Sequence, residues 1–278
     1  MNSFRTRFAP SPTGRLHLGH VFSAIQVRTA ADRAGGEALL RLEDTDLGRC
    51  RPEFEAGILE DLDWLGLAWD GPVRRQSDHL GDYARVVETL RAKGLVYRCF
   101  RTRKDIQAMT DGRPDAPFQS EALPAGEESA RLDRGDAFAW RLSLHRALEH
   151  LGSAVEPLRF GVETEEKMVW VQAEPERFGD IALTRKDSPA AYHLAACHDD
   201  ALQGITHVIR GEDLIDAPHI HTVLQALMGW PTPLYRHHRL LLGPDGKRLS
   251  KRDGSMAIAA LRDAGYGQDA VRKMAGAA

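Results

Sequence analysis

The sequence predicts an α/β fold, a mostly parallel nucleotide-binding sheet interrupted by an inserted α+β subdomain. Three observations predict it. The chain opens with a short, partly apolar run, a turn-rich loop and a helix, which is how a nucleotide-binding βα unit begins. Strand-like and helix-like runs alternate to about residue 100 and resume near residue 180, the pattern that builds a parallel sheet. Between Thr110 and Ser129 the composition shifts to Pro, Gly, Ser and acidic residues, which reads as a loop or weakly ordered excursion. The expected organisation is residues 1–100 as the first half of the sheet domain and 101–178 as the insertion. Residues 179–255 form the second half, and 256–278 a short helical remnant.

Arg5 to Ala9 reads as a strand that runs into Pro10-Ser-Pro-Thr-Gly14. From Gly19 to Ala34, Val21, Ala24, Ile25, Val27 and Ala31 follow a helical period, and Gly35-Gly36 ends it. Ala38 to Leu42 is a second strand, leading to the acidic Glu43-Asp44-Thr45-Asp46. Arg51 to Leu65 is helical by spacing, and Ser77 is placed to cap a helix reaching Lys93 before Gly94. Strands are expected at Asp180–Thr184, Thr206–Arg210 and Tyr235–Leu242, with a helix between Asp216 and Gly229. Two short helices, Met256–Ala264 and Gln268–Met274, close the chain.

Bulk properties narrow the function classes. A chain of 278 residues can bury a large core, and 42% hydrophobic with 28% charged residues is ordinary for a globular protein. No apolar run approaches the roughly 20 residues of a bilayer span, and Met1 to Pro10 contain no signal-peptide core, so a cytoplasmic protein without membrane contact is expected. Cys50, Cys99 and Cys197 are isolated and odd in number, which argues against a disulfide framework. A net charge of −3 leaves any RNA contact to local patches. Only seven of the 37 cationic residues are lysine, so Lys247 and Lys251 within one loop stand out.

His17-Leu-Gly-His20 stands where the first loop meets the first helix, a junction whose backbone N–H groups and dipole attract phosphate. Two imidazoles there suit phosphoryl transfer, which is catalysed by positioning and charge stabilisation. Gly19 would let adenine or ribose lie against the backbone. Alone, the pattern also fits two capping or surface histidines. More than 200 residues later, Arg248, Leu249, Ser250, Lys251 and Arg252 follow a Gly-rich loop. Lys251, helped by Lys247, would neutralise the β- and γ-phosphates, with Mg²⁺ carried in on ATP; alone, this segment is equally an ordinary basic turn.

Together the two segments resemble the HIGH and KMSKS signatures of class I aminoacyl-tRNA synthetases. Arg7-Phe-Ala-Pro-Ser-Pro-Thr-Gly14, Arg41-Leu-Glu-Asp-Thr-Asp46, Tyr192-His-Leu-Ala195 and Ile209-Arg-Gly-Glu-Asp-Leu214 are similar to the glutamate-specific members. The resemblance implies a class I Rossmann-like catalytic domain acting as a ligase, with His17, His20 and Lys251 catalytic. ATP would meet His17, Gly19, His20 and Arg248 to Arg252. The resemblance maps Glu43 onto the ammonium of glutamate, and Arg7, Tyr192 and Arg210 onto its side-chain carboxylate, with Phe8, Ala9, Pro10 and Ser11 walling the pocket. Charge requires such a set, because the ligand brings one ammonium and two carboxylates, one of which must stay free to attack.

Only 27 residues follow Lys251, too few for another domain, so no anticodon-binding domain is expected. That outline resembles the glutamyl-queuosine tRNA(Asp) synthetases, which activate glutamate without tRNA and transfer it to a cyclopentenediol hydroxyl of queuosine in tRNA(Asp). The partners so implied are L-glutamate, ATP and queuosine-bearing tRNA(Asp), acting on a monomer. Many relatives hold zinc through a Cys-x-Cys pair, but Tyr97-Arg-Cys99-Phe-Arg101 puts arginine at the second position, so no metal is expected and Cys99 reads as an ordinary thiol. Three alternatives stay open. They are a glutamyl-tRNA synthetase fragment or paralogue charging tRNA(Glu), a small-molecule nucleotidyltransferase or amide-forming ligase, and a non-catalytic tRNA-binding protein.

Overall fold

A computed structural model describes residues 3–113, 116–152, 158–164, 166–242 and 257–276. The strands are β1 (Arg5–Phe8), β2 (Glu37–Leu42), β3 (Arg74–Arg75), β4 (Val96–Cys99), β5 (Ala139–Leu142), β6 (Arg159–Glu163), β7 (Met168–Gln172), β8 (Ile181–Ala182), β9 (His207–Gly211) and β10 (Leu234–His238). The helices are α1 (Leu18–Ala34), α2 (Pro52–Trp64), α3 (Leu80–Ala92), α4 (Arg103–Met109), α5 (Ala125–Asp133), α6 (Leu144–Leu151), α7 (Tyr192–Leu202), α8 (Ala217–Met228), α9 (Ile258–Asp263) and α10 (Gln268–Met274).

Parallel strands β1, β2 and β3 form one sheet, and β7-β6-β10-β9 another in which β9, β10 and β6 run parallel. The two meet at β1 and β9. The backbone N–H of Thr206 donates to Arg5 O at 2.9 Å, and Arg5 N donates to Thr206 Oγ1 at 2.8 Å. The strand order thus reverses between β1 and β9, which opens a crevice at their carboxyl ends. A separate antiparallel sheet, β4-β5-β8, carries the middle of the chain. Hairpin β6–β7, by contrast, extends the β9–β10 sheet.

Apolar side chains of α1, β1, β2 and α2 pack with those of α9 and α10 in one core, while α3, α7, α8 and β4 share a second. Helix α1 ends at Gly35 in the left-handed conformation (φ 60°), where a side chain would be strained. The last two helices are tied to the start of the chain. Ile258 N donates to Leu16 O at 3.0 Å, and His17 bridges Ala257 in antiparallel fashion. On α2, Asp61 is fully buried and neither of its oxygens has a hydrogen-bond partner among the described residues; the Arg262 guanidinium on α9 stands 4.0 Å away and pairs with Glu60 at 2.8 Å. Burial pushes the Asp61 carboxyl up to about 6.

Three sequence expectations change. Ser77 does not cap α3; its N–H and Oγ both donate to Asp44, at 2.8 and 2.5 Å, and a 3₁₀ turn at Gln76–His79 leads into the helix. The last strand stops at His238, short of Leu242. The polar stretch ending at Ser129 contains the start of α5, whose Glu128 pairs with Arg98 of β4, so composition alone hid a helix.

Candidate active site

The crevice between β1 and β9 holds a cleft of about 670 Å³. Its lining includes Arg7, His17, His20, Glu43, Tyr192 and Arg210, together with Phe8 to Ser11. Phe8 stacks on Trp69 at 5.5 Å, which fixes that wall from behind. The loop carrying Glu43 is held to it by Glu43 N donating to Pro10 O at 3.1 Å.

His17 is the N-cap of α1. Its Nδ1 accepts from Gly19 N at 3.1 Å, and His20 Nδ1 accepts from His17 N at 3.1 Å. An imidazole nitrogen that accepts carries no proton, so each neutral ring keeps its hydrogen on Nε2. Capping and donor placement therefore coincide: the helix end is satisfied by Nδ1 of each ring, which leaves the N–H on Nε2. The rings lie 3.8 Å apart. A Cβ on Gly19 would meet the His17 ring at 3.1 to 3.2 Å, so this glycine keeps that imidazole in place. A smaller extension of the cleft, about 170 Å³, runs past Gly19 and Ser23 to His238.

Arg210, at the end of β9, donates through Nη1 to Tyr192 Oη at 3.0 Å, and its buried Nη2 has no partner among the described residues. Tyr192 is the first residue of α7, and burial raises its hydroxyl above the ordinary value. On the opposite side, Asp200 of α7 gathers two guanidinium groups: its Oδ1 accepts from Arg7 Nε at 2.9 Å and from Arg41 Nη2 at 2.7 Å. Burial works to raise Asp200, but the two arginines outweigh it and hold the carboxyl below its ordinary value. Arg41 also stands 3.6 Å from Glu43. Burial pushes the Glu43 carboxyl up, against the pull of Arg41 and Arg7. Behind Tyr192, His193 and His221 share a 3.2 Å contact; burial takes His193 down to about 4 and His221 well below its usual range.

The cleft thus brings the guanidinium groups of Arg7 and Arg210, the Tyr192 hydroxyl and the Glu43 carboxyl together with a pair of imidazole donors at a helix N-terminus. That set fits a ligand with both an ammonium and carboxylates next to a phosphate chain. A family profile described as class I tRNA synthetases (E and Q), catalytic domain, matches residues 3–276. The chain belongs to that family. It is a ligase of the class I aminoacyl-tRNA synthetases, enzymes that use ATP and tRNA, in the branch that comprises the glutamate (E) and glutamine (Q) members. The chain is 42% identical, over 98% of its length, to the glutamyl-Q tRNA(Asp) synthetase of Rhodobacter capsulatus, of which it covers 99%. To the glutamate–tRNA ligase of Synechococcus sp. it is 36% identical over 97% of its length, covering 56% of that protein. The crystal structure of a glutamate tRNA ligase from Elizabethkingia meningosepticum in complex with its amino acid superposes with a TM-score of 0.77 at 30% identity, covering 99% of this chain and 60% of that one.

Arg248, Leu249, Ser250, Lys251 and Arg252 lie outside the described residues. Asp200 and Arg41 were not singled out from the sequence as site residues, although Arg41 opens one of the family-like segments. Two adjacent acids, Asp199-Asp200, following the apolar Leu194–Cys197 on one helix were the available signal. In the insertion, Arg101 stands exposed where the resemblance would want a second cysteine, and a guanidinium is no zinc ligand. Cys99 is a buried free thiol packed with Tyr97 and Phe118. Among the described residues no group of three or more His, Cys, Asp or Glu could hold a metal. Arg98 instead lies over Phe138 and Trp140, 5.2 and 4.7 Å from the ring centres, beside Glu128. Among the described residues no helix is long and apolar enough to cross a membrane.

Proposed function

We propose that the cleft activates L-glutamate with ATP, without tRNA, and that the enzyme transfers the glutamyl group to a cyclopentenediol hydroxyl of queuosine in tRNA(Asp). The observation that carries the first step is the convergence of Glu43, Arg7 and the Arg210–Tyr192 pair on one cleft with His17 and His20. Glu43 takes the ammonium, while Arg7, Arg210 and Tyr192 take the side-chain carboxylate, between walls formed by Phe8, Ala9, Pro10 and Ser11. The α-carboxylate is then free to attack the α-phosphorus of ATP. The P–O bond to the β-phosphate breaks, pyrophosphate leaves, and the Nε2–H groups of His17 and His20 stabilise the charge that builds on phosphoryl oxygen. Gly19 leaves room for the nucleoside, and Lys251 with its neighbours from Arg248 to Arg252 neutralises the departing pyrophosphate. The acceptor hydroxyl next attacks the acyl carbon, loses its proton and releases AMP.

The acceptor is assigned from the name of the Rhodobacter capsulatus relative, which this chain matches almost end to end. ATP and tRNA place this work in the cytoplasm, and one chain carries every group named, which suits a monomer. Incubation with labelled glutamate, ATP and queuosine-containing tRNA(Asp), beside tRNA(Asp) lacking queuosine and tRNA(Glu), tests the whole reading. Label is expected only on the queuosine-containing tRNA; label on tRNA(Glu) alone would make the protein a tRNA(Glu)-charging paralogue.

A further inference from the structure

Arg210 is held by more than Tyr192. In the parallel pairing of β9 with β10, His237 lies directly across from Arg210, and its Nε2 accepts from Arg210 Nε at 3.4 Å. The Tyr235 ring lies 5.2 Å from the guanidinium carbon and stacks almost parallel to the His237 ring. His237 is absent from the lining of the cleft, so it reaches any ligand only through Arg210. Its Nδ1 is buried without a partner among the described residues.

We infer that His237 is a positioning residue that locks the Arg210 guanidinium and so sets the preference of the cleft for a side-chain carboxylate over a carboxamide. The inference rests on the proposed glutamate site. An arginine can only donate, so Tyr192 Oη and His237 Nε2 are both acceptors in these bonds, and the His237 ring carries its proton on Nδ1. Burial, with Arg210 and neighbouring His238 adding their charge, takes this imidazole down to about 4, which keeps the acceptor available. With Nε engaged by His237 and one Nη1 hydrogen by Tyr192, the guanidinium is held against turning, and Nη2 is the nitrogen left without a partner among the described residues. The Tyr192 hydroxyl, already accepting, has its own hydrogen to give. Two donors fixed side by side require two acceptor oxygens. A carboxylate supplies them; a carboxamide supplies one, and turns an N–H against a donor. Released from His237, the guanidinium can rotate and meet an amide, so the preference weakens before the chemistry does.

The test is ATP–pyrophosphate exchange by the full chain, with glutamate or glutamine as the acid, for wild type, His237→Gln and His237→Asn. Gln places a carbonyl oxygen near the position of Nε2, whereas Asn carries the same amide one bond too short. His237→Asn should raise the glutamate KM about 10-fold, the lower range for losing a hydrogen bond to a charged group. It should narrow the glutamate-to-glutamine ratio of kcat/KM while leaving kcat and the ATP KM within about 2-fold, and His237→Gln should stay within about 3-fold of wild type in every parameter. Equal behaviour of the two variants, unchanged or equally impaired, would overturn the inference, because a side chain that only fills space treats both alike. Wild type lacking glutamate-dependent exchange would strike down the proposed function and this inference with it. Wild-type exchange together with an unchanged His237→Asn KM strikes down the role of His237 alone.

Discussion

Replacing Asp200 with alanine should cost stability and glutamate affinity together. One carboxylate oxygen accepts two charge-assisted hydrogen bonds, at 2.9 and 2.7 Å, from arginines that are 5% and 0% exposed. Each such bond contributes about 1.5 to 3 kcal/mol, and removing one member of a buried ion cluster costs about 3 to 5 kcal/mol because the remaining charges stay dehydrated. Arg41 keeps Gln203 at 3.0 Å and Glu43 nearby, so most of the loss falls on Arg7. At roughly 2 to 4 °C per kcal/mol for a chain somewhat smaller than this one, Asp200→Ala should melt about 10 °C lower than wild type. Asp200→Asn keeps an acceptor oxygen but not its charge, and should lose about half as much. Because Asp200 ties α7 to β1, both variants should raise the glutamate KM in pyrophosphate exchange. Thermal melts with parallel kinetics decide the matter. An alanine variant melting within about 2 °C of wild type would show that the cluster contributes little and that Arg7 is held by something else.

Gly19→Ala would press a methyl group onto the His17 ring at 3.1 to 3.2 Å, so adenylation should fall by roughly 10-fold or more while glutamate binding, followed by calorimetry, stays near wild type. Lys251→Ala should lower the exchange rate by about two orders of magnitude with little change in glutamate KM; an equal rise in KM would assign it to binding. Burial depresses His193 to about 4, below the ~6.5 of the unfolded chain, so the unfolded state takes up the extra proton as pH falls. Stability should therefore be full above pH 6.5 and decline toward pH 4, with His193 alone accounting for about 3 kcal/mol; urea midpoints that stay flat from pH 7.5 to 5 would exclude this. Asp61 acts in the opposite sense. Its folded value, about 6, exceeds the unfolded ~3.9, so its ionisation lowers stability as pH rises from 4 to 6, and the Asp61→Asn difference from wild type should vary across that window by up to about 3 kcal/mol rather than stay constant.

The alternation of strand and helix was readable in the sequence because local signals carry it, whereas Arg7, Glu43, Tyr192 and Arg210 were legible only through resemblance to a known family. His17-Leu-Gly-His20 caps its own helix, and Pro10 and Pro12 end β1 just after Phe8. The supports were not readable, since Asp200 reaches Arg7 across 193 positions and His237 meets Arg210 only through strand pairing. A pair of acids near a helix C-terminus looks like a solvated face until α7 is packed onto β1. Helix α5 was masked by its polar composition, because it buries none of its residues and leans on the Glu128–Arg98 ion pair and on Arg131 over the Phe100 ring.

The bridge between His17 and Ala257 bears on how the enzyme comes into being. It joins segments some 240 residues apart, and closing so long a loop carries an entropic cost of about 5 kcal/mol by chain statistics. The strands that form the crevice, β1 and β9, are also about 200 residues apart. During synthesis the amino-terminal imidazoles therefore wait for nearly the whole polypeptide before their surroundings exist. Such non-local closure belongs to slow folding, and catalytic competence should be among the last properties the nascent chain acquires.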